Sequence, residues 1–215
     1  MTKPPSREKF TKEENNLIQS LRTPLQVQRY LTSLQYNMEV GGGTMRSFRE
    51  VVRRKEAHCL EGALAAAVVL EQHGYPPLLL DLESVDLLDH VIFVFKQNGL
   101  WGSIARSRDI SLHGRRPVFR LLRELVWSYY EPYVDFSGRI KGYGLTNLHE
   151  LGNYDWRFSD RRMLRVEDHL RNILHKPLHS SDTRYDRLRE RYKKFKERYP
   201  NGAPTYYKNR WQWMR

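Results

Sequence analysis

The sequence predicts an α+β protein, and two observations carry that prediction. An alanine-rich apolar helix is expected over about residues 57–73. Two short apolar segments, 78–82 and 90–95, follow between turn signals and are expected to be strands. An Asn-Gly pair at 98–99 then indicates a hairpin into a third strand over 100–105. An antiparallel sheet packed on the helix would bury both apolar sets.

Three helices are predicted before this core. Thr11 opens a capping box, and Thr23 followed by Pro24 starts the second helix. Thr44 is expected to cap the third helix. The three glycines at 41–43 lack the lysine and the preceding strand of a phosphate-binding loop, so we interpret them as a connector.

Four further elements are predicted after the core. Pro117 is expected to start a helix, residues 138–148 to add a strand, and Ser159 to cap another helix. Residues 184–199 form a charged helix with few apolar positions. The aromatic residues of the first of these helices are interpreted as a core stripe, with the lining of a pocket beside the core as the alternative: Trp127, Tyr129, Tyr130 and Tyr133.

Charge is spread unevenly along the chain. The formal net charge is +12, and residues 157–215 hold 17 Lys and Arg against 7 Asp and Glu. We therefore divide the chain into an N-terminal helical segment (1–44), an α+β core (45–150) and a basic helical C-terminal extension (151–215). The nearly balanced core argues against a nucleic-acid surface there, whereas the extension suits anionic partners.

Aromatic and basic residues alternate at the end of the chain: Tyr206, Tyr207, Lys208, Arg210, Trp211, Trp213 and Arg215. This mixture is typical of single-stranded nucleic-acid binding, in which rings stack on bases and cations follow the phosphates. It is equally typical of a partner-docking tail or of a tail that packs back on the core. No RNA- or DNA-binding signature is visible, so nucleic acid is only an alternative partner.

Cysteine content and hydropathy limit the setting of the protein. Cys59 is the only cysteine, which excludes an intramolecular disulfide. The first residues lack the apolar segment of a secretory signal, and no apolar run of about 18 residues occurs. We expect a cytoplasmic protein without membrane spans. Neither a cofactor nor a metal is expected, because the spacing of His169, His175 and His179 matches no zinc signature.

Cys59 and His90 are the candidate chemical pair. A nucleophilic cysteine must be a thiolate, and free cysteine is mostly protonated at neutral pH. A helix N-terminus lowers the thiol pKa through its unpaired N–H groups, and a histidine takes the proton. Cys59 begins the alanine-rich helix and His90 begins the second strand, so a backbone N–H near Cys59 is the expected oxyanion donor. His58 is expected to point elsewhere and lie at the surface.

Four pieces of this stretch occur in a family order. They are the run HCLEGA at 58–63, the break GYPP at 74–77, the histidine that opens a strand at 90, and the run GLW at 99–101. Together they resemble the transglutaminase-like superfamily of papain-like cysteine enzymes, over about residues 45–110.

The resemblance implies a papain-like core with thiol chemistry on amides, as in a peptidase, an amidase or an acyltransferase. It implies Cys59 as nucleophile, His90 as general base and a peptide or amide as substrate. The family places an aspartate about four residues after the tryptophan, but Ala105 stands there in this chain. Ser103, Ser107 or Asp109 would have to replace it as the residue that orients His90.

The predicted function is therefore a thiol-dependent hydrolase or acyltransferase that acts through a Cys-His pair. The alternative is a catalytically degenerate relative of these enzymes. Such a module would bind anionic partners or nucleic acid through its basic C-terminal extension.

Overall fold

A five-stranded antiparallel sheet organises the fold. The computed structural model describes residues 4–204 and 206–207. In this part of the chain the α-helices are α1 Lys12–Ser20, α2 Pro24–Ser33, α3 Phe48–Arg54, α4 Cys59–Glu71, α5 Leu122–Tyr133, α6 Leu164–Asn172 and α7 Asp182–Arg198. The strands are β1 Gln35–Tyr36, β2 Glu56–Ala57, β3 Leu78–Ser84, β4 His90–Gln97, β5 Leu100–Ile104, β6 Ile140–Asn147 and β7 Lys176–Pro177. The predicted α+β class is confirmed.

The strand order of the sheet is β5-β4-β3-β6-β7, and each neighbouring pair is antiparallel. The strands predicted over 78–82, 90–95 and 100–105 all begin at the predicted residues. Asn98 and Gly99 have φ angles of 52° and 76°. A type I′ hairpin turn requires such left-handed values at both central residues, so the predicted hairpin is confirmed.

Both faces of the sheet are buried at β3 and β4, so these two strands are largely apolar rather than alternating, with the buried Asp81 as an exception in β3. One face packs on the layer that contains α4, and its side chains include Leu79, Val91, Phe93 and Phe95. The opposite face packs on α5, and its side chains include Leu80, Leu82, Ile92 and Val94. Burial on both faces holds the start of β4, and with it His90, in a fixed place.

Helix α4 is buried on almost every side. Residues 60–71 are all inaccessible or nearly so, as expected for a helix that is apolar all round. Directly before it, β2 pairs in parallel with β1, with Gln35 opposite Glu56 and Tyr36 opposite Ala57. This pairing brings the segment after β1 next to the start of α4.

Two predicted helix caps in the N- and C-terminal parts are wrong. Helix α3 begins after Ser47 rather than Thr44, because the Thr44 hydroxyl donates to Glu61 Oε1 at 2.6 Å. Helix α6 begins after Met163 rather than Ser159. The Ser159 hydroxyl instead accepts a hydrogen bond from Arg161 N within the preceding turn.

Pro117 does not start α5, which begins at Leu122. The chain before it stays extended because it pairs with the edge strand β5. Trp101 N donates to Phe119 O at 2.7 Å, and the two residues form a β-bridge. The predicted aromatic stripe is present on α5, where Tyr129 and Tyr130 are fully buried.

The C-terminal part is helical, as predicted, and α7 buries only Leu188. Tyr207 is buried and the Tyr206 ring lies 5.4 Å from that of Phe195, so these residues pack back on the protein. Lys208, Arg210, Trp211, Trp213 and Arg215 lie outside the described residues.

The division into segments 1–44, 45–150 and 151–215 stays a prediction. One apolar cluster includes members of all three, for example Ile18, Ala66 and Val166. Among the described residues, no helix combines the length and the apolar character that crossing a membrane requires.

Candidate active site

Cys59 is the first residue of α4 and is partly exposed to solvent. At a helix start, its own N–H and those of the next two residues have no carbonyl of a preceding turn to bind. Of these, the N–H groups of Cys59 and Leu60 are available to a negatively charged oxygen near the thiol, because the N–H of Glu61 takes part in a capping box with His58. The helix also contributes about half a positive charge at this end.

His58 contacts the thiol, so the prediction that it lies at the surface is wrong. Its side chain is buried, and its Nδ1 lies 3.9 Å from Cys59 Sγ. His58 is the N-cap of α4 and has an extended backbone, with φ −92° and ψ −169°. The prediction treated it as a helical residue that points away from its neighbour, but an N-cap residue is not helical.

Two carboxylates lie behind the His58 ring. Its Nε2 is 3.4 Å from Oε1 of Glu61 and 3.4 Å from Oε1 of Glu39. Glu61 is fully buried, and Glu39 is about one-third exposed. His58 therefore lies between a thiol at one ring nitrogen and two acids at the other.

Glu61 is buried as a carboxylate because several donors converge on it. It accepts hydrogen bonds from His58 N at 3.1 Å, Asn37 Nδ2 at 2.9 Å, Thr44 Oγ at 2.6 Å and Arg46 N at 2.9 Å. Buried charge is tolerated only with such satisfaction. The segment with the three glycines thus loops out and returns, so that residues on both sides of it bind one carboxylate.

His90 is buried at the start of β4 and is held by a backbone carbonyl. Its Nε2 lies 3.0 Å from Leu112 O. Because a carbonyl oxygen only accepts, Nε2 carries the proton, and Nδ1 is the basic nitrogen of the neutral ring. The His90 ring is also near enough to Cys59 to lower the pKa of its thiol. The imidazole therefore has a fixed tautomer without a carboxylate partner at Nε2.

Leu112 ends a short 3₁₀ helix, Ile110–Leu112, in a segment that we call the support loop (residues 109–115). Asp109, a predicted catalytic residue, is the N-cap of this 3₁₀ helix. Its Oδ1 accepts from Ser111 N at 2.8 Å. The contribution of Asp109 visible in the structure is to shape the loop that carries the Leu112 carbonyl.

Arg115 fastens the support loop from inside. Its fully buried guanidinium donates to Ser111 O at 2.8 Å and to His113 O at 2.5 Å. These carbonyls stand immediately before and after Leu112. The guanidinium also stacks on Tyr129, 3.8 Å from the ring centroid. The Leu112 carbonyl is thereby fixed from both sides.

Ser103, the other predicted catalytic residue, belongs to the same buried network. Arg115 N donates to Ser103 Oγ at 2.9 Å, the Ser103 hydroxyl lies 2.8 Å from the Tyr129 hydroxyl, and Tyr129 donates to His113 O at 3.0 Å. The Tyr129 ring is 6.0 Å from the His90 ring, centroid to centroid. Ser103 therefore reaches His90 only through Tyr129 and the support loop.

Glycines allow two close approaches that build the site. A Cβ on Gly62 would lie 2.8 Å from Arg106 Cβ, so this helical glycine lets the chain after β5 pass against the start of α4. A Cβ on Gly114 would lie 2.4 Å from Ser103 O and 2.3 Å from Gln28 Oε1. The support loop can therefore approach β5 and α2 only with glycine at 114.

The surroundings lower the pKa of the Cys59 thiol to about 5. Burial alone would raise this pKa, but interactions with the neighbouring His58 and His90 rings and their positive charge outweigh it. Burial would likewise lower the pKa of His58, yet contact with Cys59 and the charges of Glu61 and Glu39 raise it. At neutral pH the favoured form is a thiolate beside an imidazolium.

One buried acid works against the thiolate. Asp81 of β3 is buried, with Oδ2 3.0 Å from His175 Nε2 and Oδ1 without a hydrogen-bond partner among the described residues. Burial, opposed in part by its hydrogen bond with His175, and repulsion from Asp89 and Cys59 raise its pKa to about 6. The ionised forms of Asp81 and Cys59 therefore disfavour each other.

Sequence reasoning missed His58, Glu61, Leu112 and Arg115 as parts of the site. Glu61 stands three residues after an N-cap, the spacing of a capping box, and that spacing was a usable signal. Leu112 acts through its backbone, so its side chain carries no signal. In the comparisons, neither a protein-family model nor a curated protein matches this chain significantly. The transglutaminase-like resemblance therefore stays a prediction.

Proposed function

We propose that the protein is a thiol-dependent hydrolase or acyltransferase that acts on amide bonds, built on a papain-like core resembling the transglutaminase-like enzymes. The observation that carries the proposal is the partly exposed Cys59, whose thiol lies at a helix start beside two histidines and has a pKa of about 5. A cysteine that serves only as a small core residue has no need of such surroundings.

The reaction has two stages. The Cys59 thiolate attacks the carbonyl carbon to form a C–S bond, and the C–N bond breaks. His90, which begins this stage as an imidazolium, gives one ring proton to the departing amine. Water or a second amine then attacks the thioester and passes a proton to His90, and the C–S bond breaks. The thiolate is restored, and the N–H groups at the start of α4 stabilise the oxyanion of both stages.

Exposed apolar side chains favour a substrate with an apolar part beside the reacting bond. Met38 and Val40, 57% and 96% exposed, flank Glu39, which contacts His58. Leu87 and Leu88, 80% and 68% exposed, precede the start of β4 by two or three residues. Isolated exposed apolar residues need no explanation, but here two pairs adjoin residues of one site.

The proposal is tested first by alkylation of Cys59 with iodoacetamide from about pH 4 to 10. We expect the folded protein to alkylate with a midpoint near pH 5, against about 8.5 for an unperturbed thiol. The pH midpoint of alkylation, rather than the maximal rate, tests the proposal, because a thiolate of low pKa is intrinsically less nucleophilic. A folded protein with the midpoint of its urea-unfolded form would overturn the proposal.

The second measurement is acyl transfer from p-nitrophenyl acetate and from peptide amides, with intact mass analysis of the acyl-enzyme. Cys59→Ser should form no thioester, and His90→Ala should slow turnover by about 10²- to 10⁴-fold. His73→Ala is the matched control, since His73 bonds Ile18 O near the far end of α4. Wild-type rates in His90→Ala would contradict the proposed mechanism.

The degenerate binding module is the other outcome of this test. It would show no acyl-enzyme, together with binding to single-stranded nucleic acid that weakens steeply with salt. Truncation before α7 would abolish that binding.

A further inference from the structure

His58 is the feature of the site to which the proposed mechanism gives no task. Its Nδ1 is 3.9 Å from Cys59 Sγ, and the two carboxylates of Glu61 and Glu39 lie 3.4 Å from its Nε2. His90, by contrast, meets only the neutral Leu112 carbonyl at its Nε2. A positive imidazolium is stabilised far more by carboxylates than by a carbonyl dipole.

From this difference we propose that His58 takes the proton of the Cys59 thiol and stays protonated as the lasting partner of the thiolate, while His90 exchanges protons with the substrate. This assignment rests on the proposed function and divides its acid–base work between two residues. It makes His58 a second catalytic residue of the site.

The proton transfer is balanced within the site. The S–H bond of Cys59 breaks, and the proton moves to His58 Nδ1, which was the basic nitrogen of the neutral ring. The imidazolium then has one ring nitrogen beside the thiolate and the other 3.4 Å from the carboxylates of Glu61 and Glu39, which stabilise its charge without a hydrogen bond. The substrate stages use His90, which takes a second proton from solvent before acylation, gives it to the departing amine and regains one from the attacking water or amine. The thiolate that leaves the thioester therefore returns to a positive partner that never lost its proton.

The charged groups around His58 agree with this assignment. Cys59 and Glu61 face it from α4, and Glu39 faces it from the segment after β1. A cation lies one step further out, where Arg46 Nε is 3.9 Å from Glu61 Oε1. That charge opposes the His58 proton weakly, because Arg46 also forms an ion pair with Glu56 at 2.6 Å.

Glu39 and Glu61 are then positioning residues that act through His58. Glu61 is also needed for the local structure, since four donors share it. Glu39 is partly exposed and binds Thr44 N at 2.7 Å through Oε1, an interaction that glutamine can keep. Glu39 is therefore the position at which the charge behind His58 can be removed with little change in structure.

The deciding experiment is the alkylation midpoint of Cys59 in His58→Asn and His90→Asn. Asparagine is a favoured N-cap residue, so His58→Asn should fold. We expect His58→Asn to raise the midpoint by about 1 to 3 pH units. His90→Asn should shift it less, although acyl transfer from p-nitrophenyl acetate is lost. His73→Asn is the control with wild-type behaviour.

A larger shift in His90→Asn than in His58→Asn would overturn the assignment. Glu39→Gln gives a second reading that does not depend on how His58→Asn folds. It should raise the midpoint by about 0.5 to 1 pH unit, whereas Glu56→Gln, which faces Arg46, should not. An unchanged Glu39→Gln midpoint would also count against the assignment.

The two proposals fail in different ways. If wild-type Cys59 has an ordinary thiol midpoint and forms no acyl-enzyme, the proposed function fails. If wild-type Cys59 is a reactive thiolate but neither His58→Asn nor Glu39→Gln moves its midpoint, only the role of His58 fails.

Discussion

The two histidines that flank Cys59 are held by groups of different kinds. His58 has two carboxylates at the ring nitrogen away from the thiol. His90 has the backbone carbonyl of Leu112 at its Nε2. One surrounding stabilises a positive charge, and the other fixes a tautomer and an orientation.

The two surroundings also depend on different parts of the molecule. The acids behind His58 come from the first turn of α4 and from the segment after β1, which β1 and β2 bring together. The carbonyl behind His90 belongs to the support loop, which α5 and β5 hold through Tyr129 and Ser103. Substitutions can therefore damage one side of the thiol and spare the other.

This separation explains how the site lacks the expected acid after Trp101 and still lowers the thiol pKa. In the transglutaminase-like pattern that the sequence resembles, a single aspartate is expected to orient the histidine. Here, the Leu112 carbonyl orients His90, whereas Glu61 and Glu39 stabilise a positive charge on the other histidine, His58. Among the described residues, orienting a histidine and stabilising its charge are thus divided between different groups.

The largest effect on the His90 side should follow from loss of the Tyr129 hydroxyl. Tyr129→Phe keeps the ring against His90 but removes the hydrogen bonds to Ser103 and His113. We expect a loss of about 1 kcal/mol in the free energy of unfolding, measured in urea. A similar loss of positioning would lower kcat/KM for acyl transfer about fivefold, with an unchanged alkylation midpoint.

Tyr130→Phe is the matched control on the same helix. The Tyr130 hydroxyl is buried without a hydrogen-bond partner among the described residues, so its removal should be neutral or stabilising. Equal losses of kcat/KM in both variants would show that the support loop does not position His90.

A smaller effect is expected at Asp109, and it separates a cap from a catalytic acid. Asp109→Asn keeps an oxygen that accepts from Ser111 N but removes the charge. We expect kcat/KM within about twofold of wild type in Asp109→Asn. Asp109→Ala removes the cap. We expect it to lower the free energy of unfolding by about 1 kcal/mol and to lower kcat/KM several-fold.

Temperature-controlled assays below both unfolding midpoints keep activity and stability apart in these variants. If Asp109→Asn is as damaging as Asp109→Ala, the carboxylate charge itself acts on His90. The sequence-based assignment of Asp109 as the orienting acid would then stand.

The sequence predicted the core of the fold well because the signals there are local. An Asn-Gly pair demands left-handed angles at Asn98 and Gly99, and uninterrupted apolar runs indicate strands buried on both faces. The Thr11 capping box is also confirmed, because its signal is local. Thr11 N donates to the Glu14 carboxylate, and Glu14 N donates to the Thr11 hydroxyl. The predicted helix starts were wrong where a tertiary contact competes with the cap. The Thr44 hydroxyl donates to Glu61, and the chain after Pro117 pairs with β5.

The site was predictable only where side chains act directly. Cys59 and His90 combine a reactive side chain with a position at the start of an element. The support of His90 comes from a carbonyl, which every residue has, so nothing in the sequence marks Leu112. His58 was misassigned because it was taken as a helical residue. As the N-cap it has an extended backbone, which places its side chain beside the thiol rather than on the far side of the helix.

The smallest effect on the thiol is expected from Asp81. Its main effect is on the pH dependence of the free energy of unfolding. Folding raises the pKa of Asp81 from 3.8 to about 6, so between these pH values the native state holds more protons than the unfolded state. Stability from this group is present below about pH 4 and is lost as pH rises through about 6. The full shift of about two units corresponds to at most about 3 kcal/mol.

Asp81→Asn removes this titration, while the asparagine amide, which has both a donor and an acceptor, can still form a hydrogen bond with His175 Nε2. The free energy of unfolding in urea should therefore rise by about 1 to 3 kcal/mol relative to wild type between about pH 4 and pH 7. The exposed Asp168→Asn should follow the wild-type curve. The alkylation midpoint of Cys59 should fall slightly, since a nearby negative charge is gone. A midpoint that rises would mean that Asp81 supports the thiolate through His175, and a third histidine would then join the two that flank Cys59.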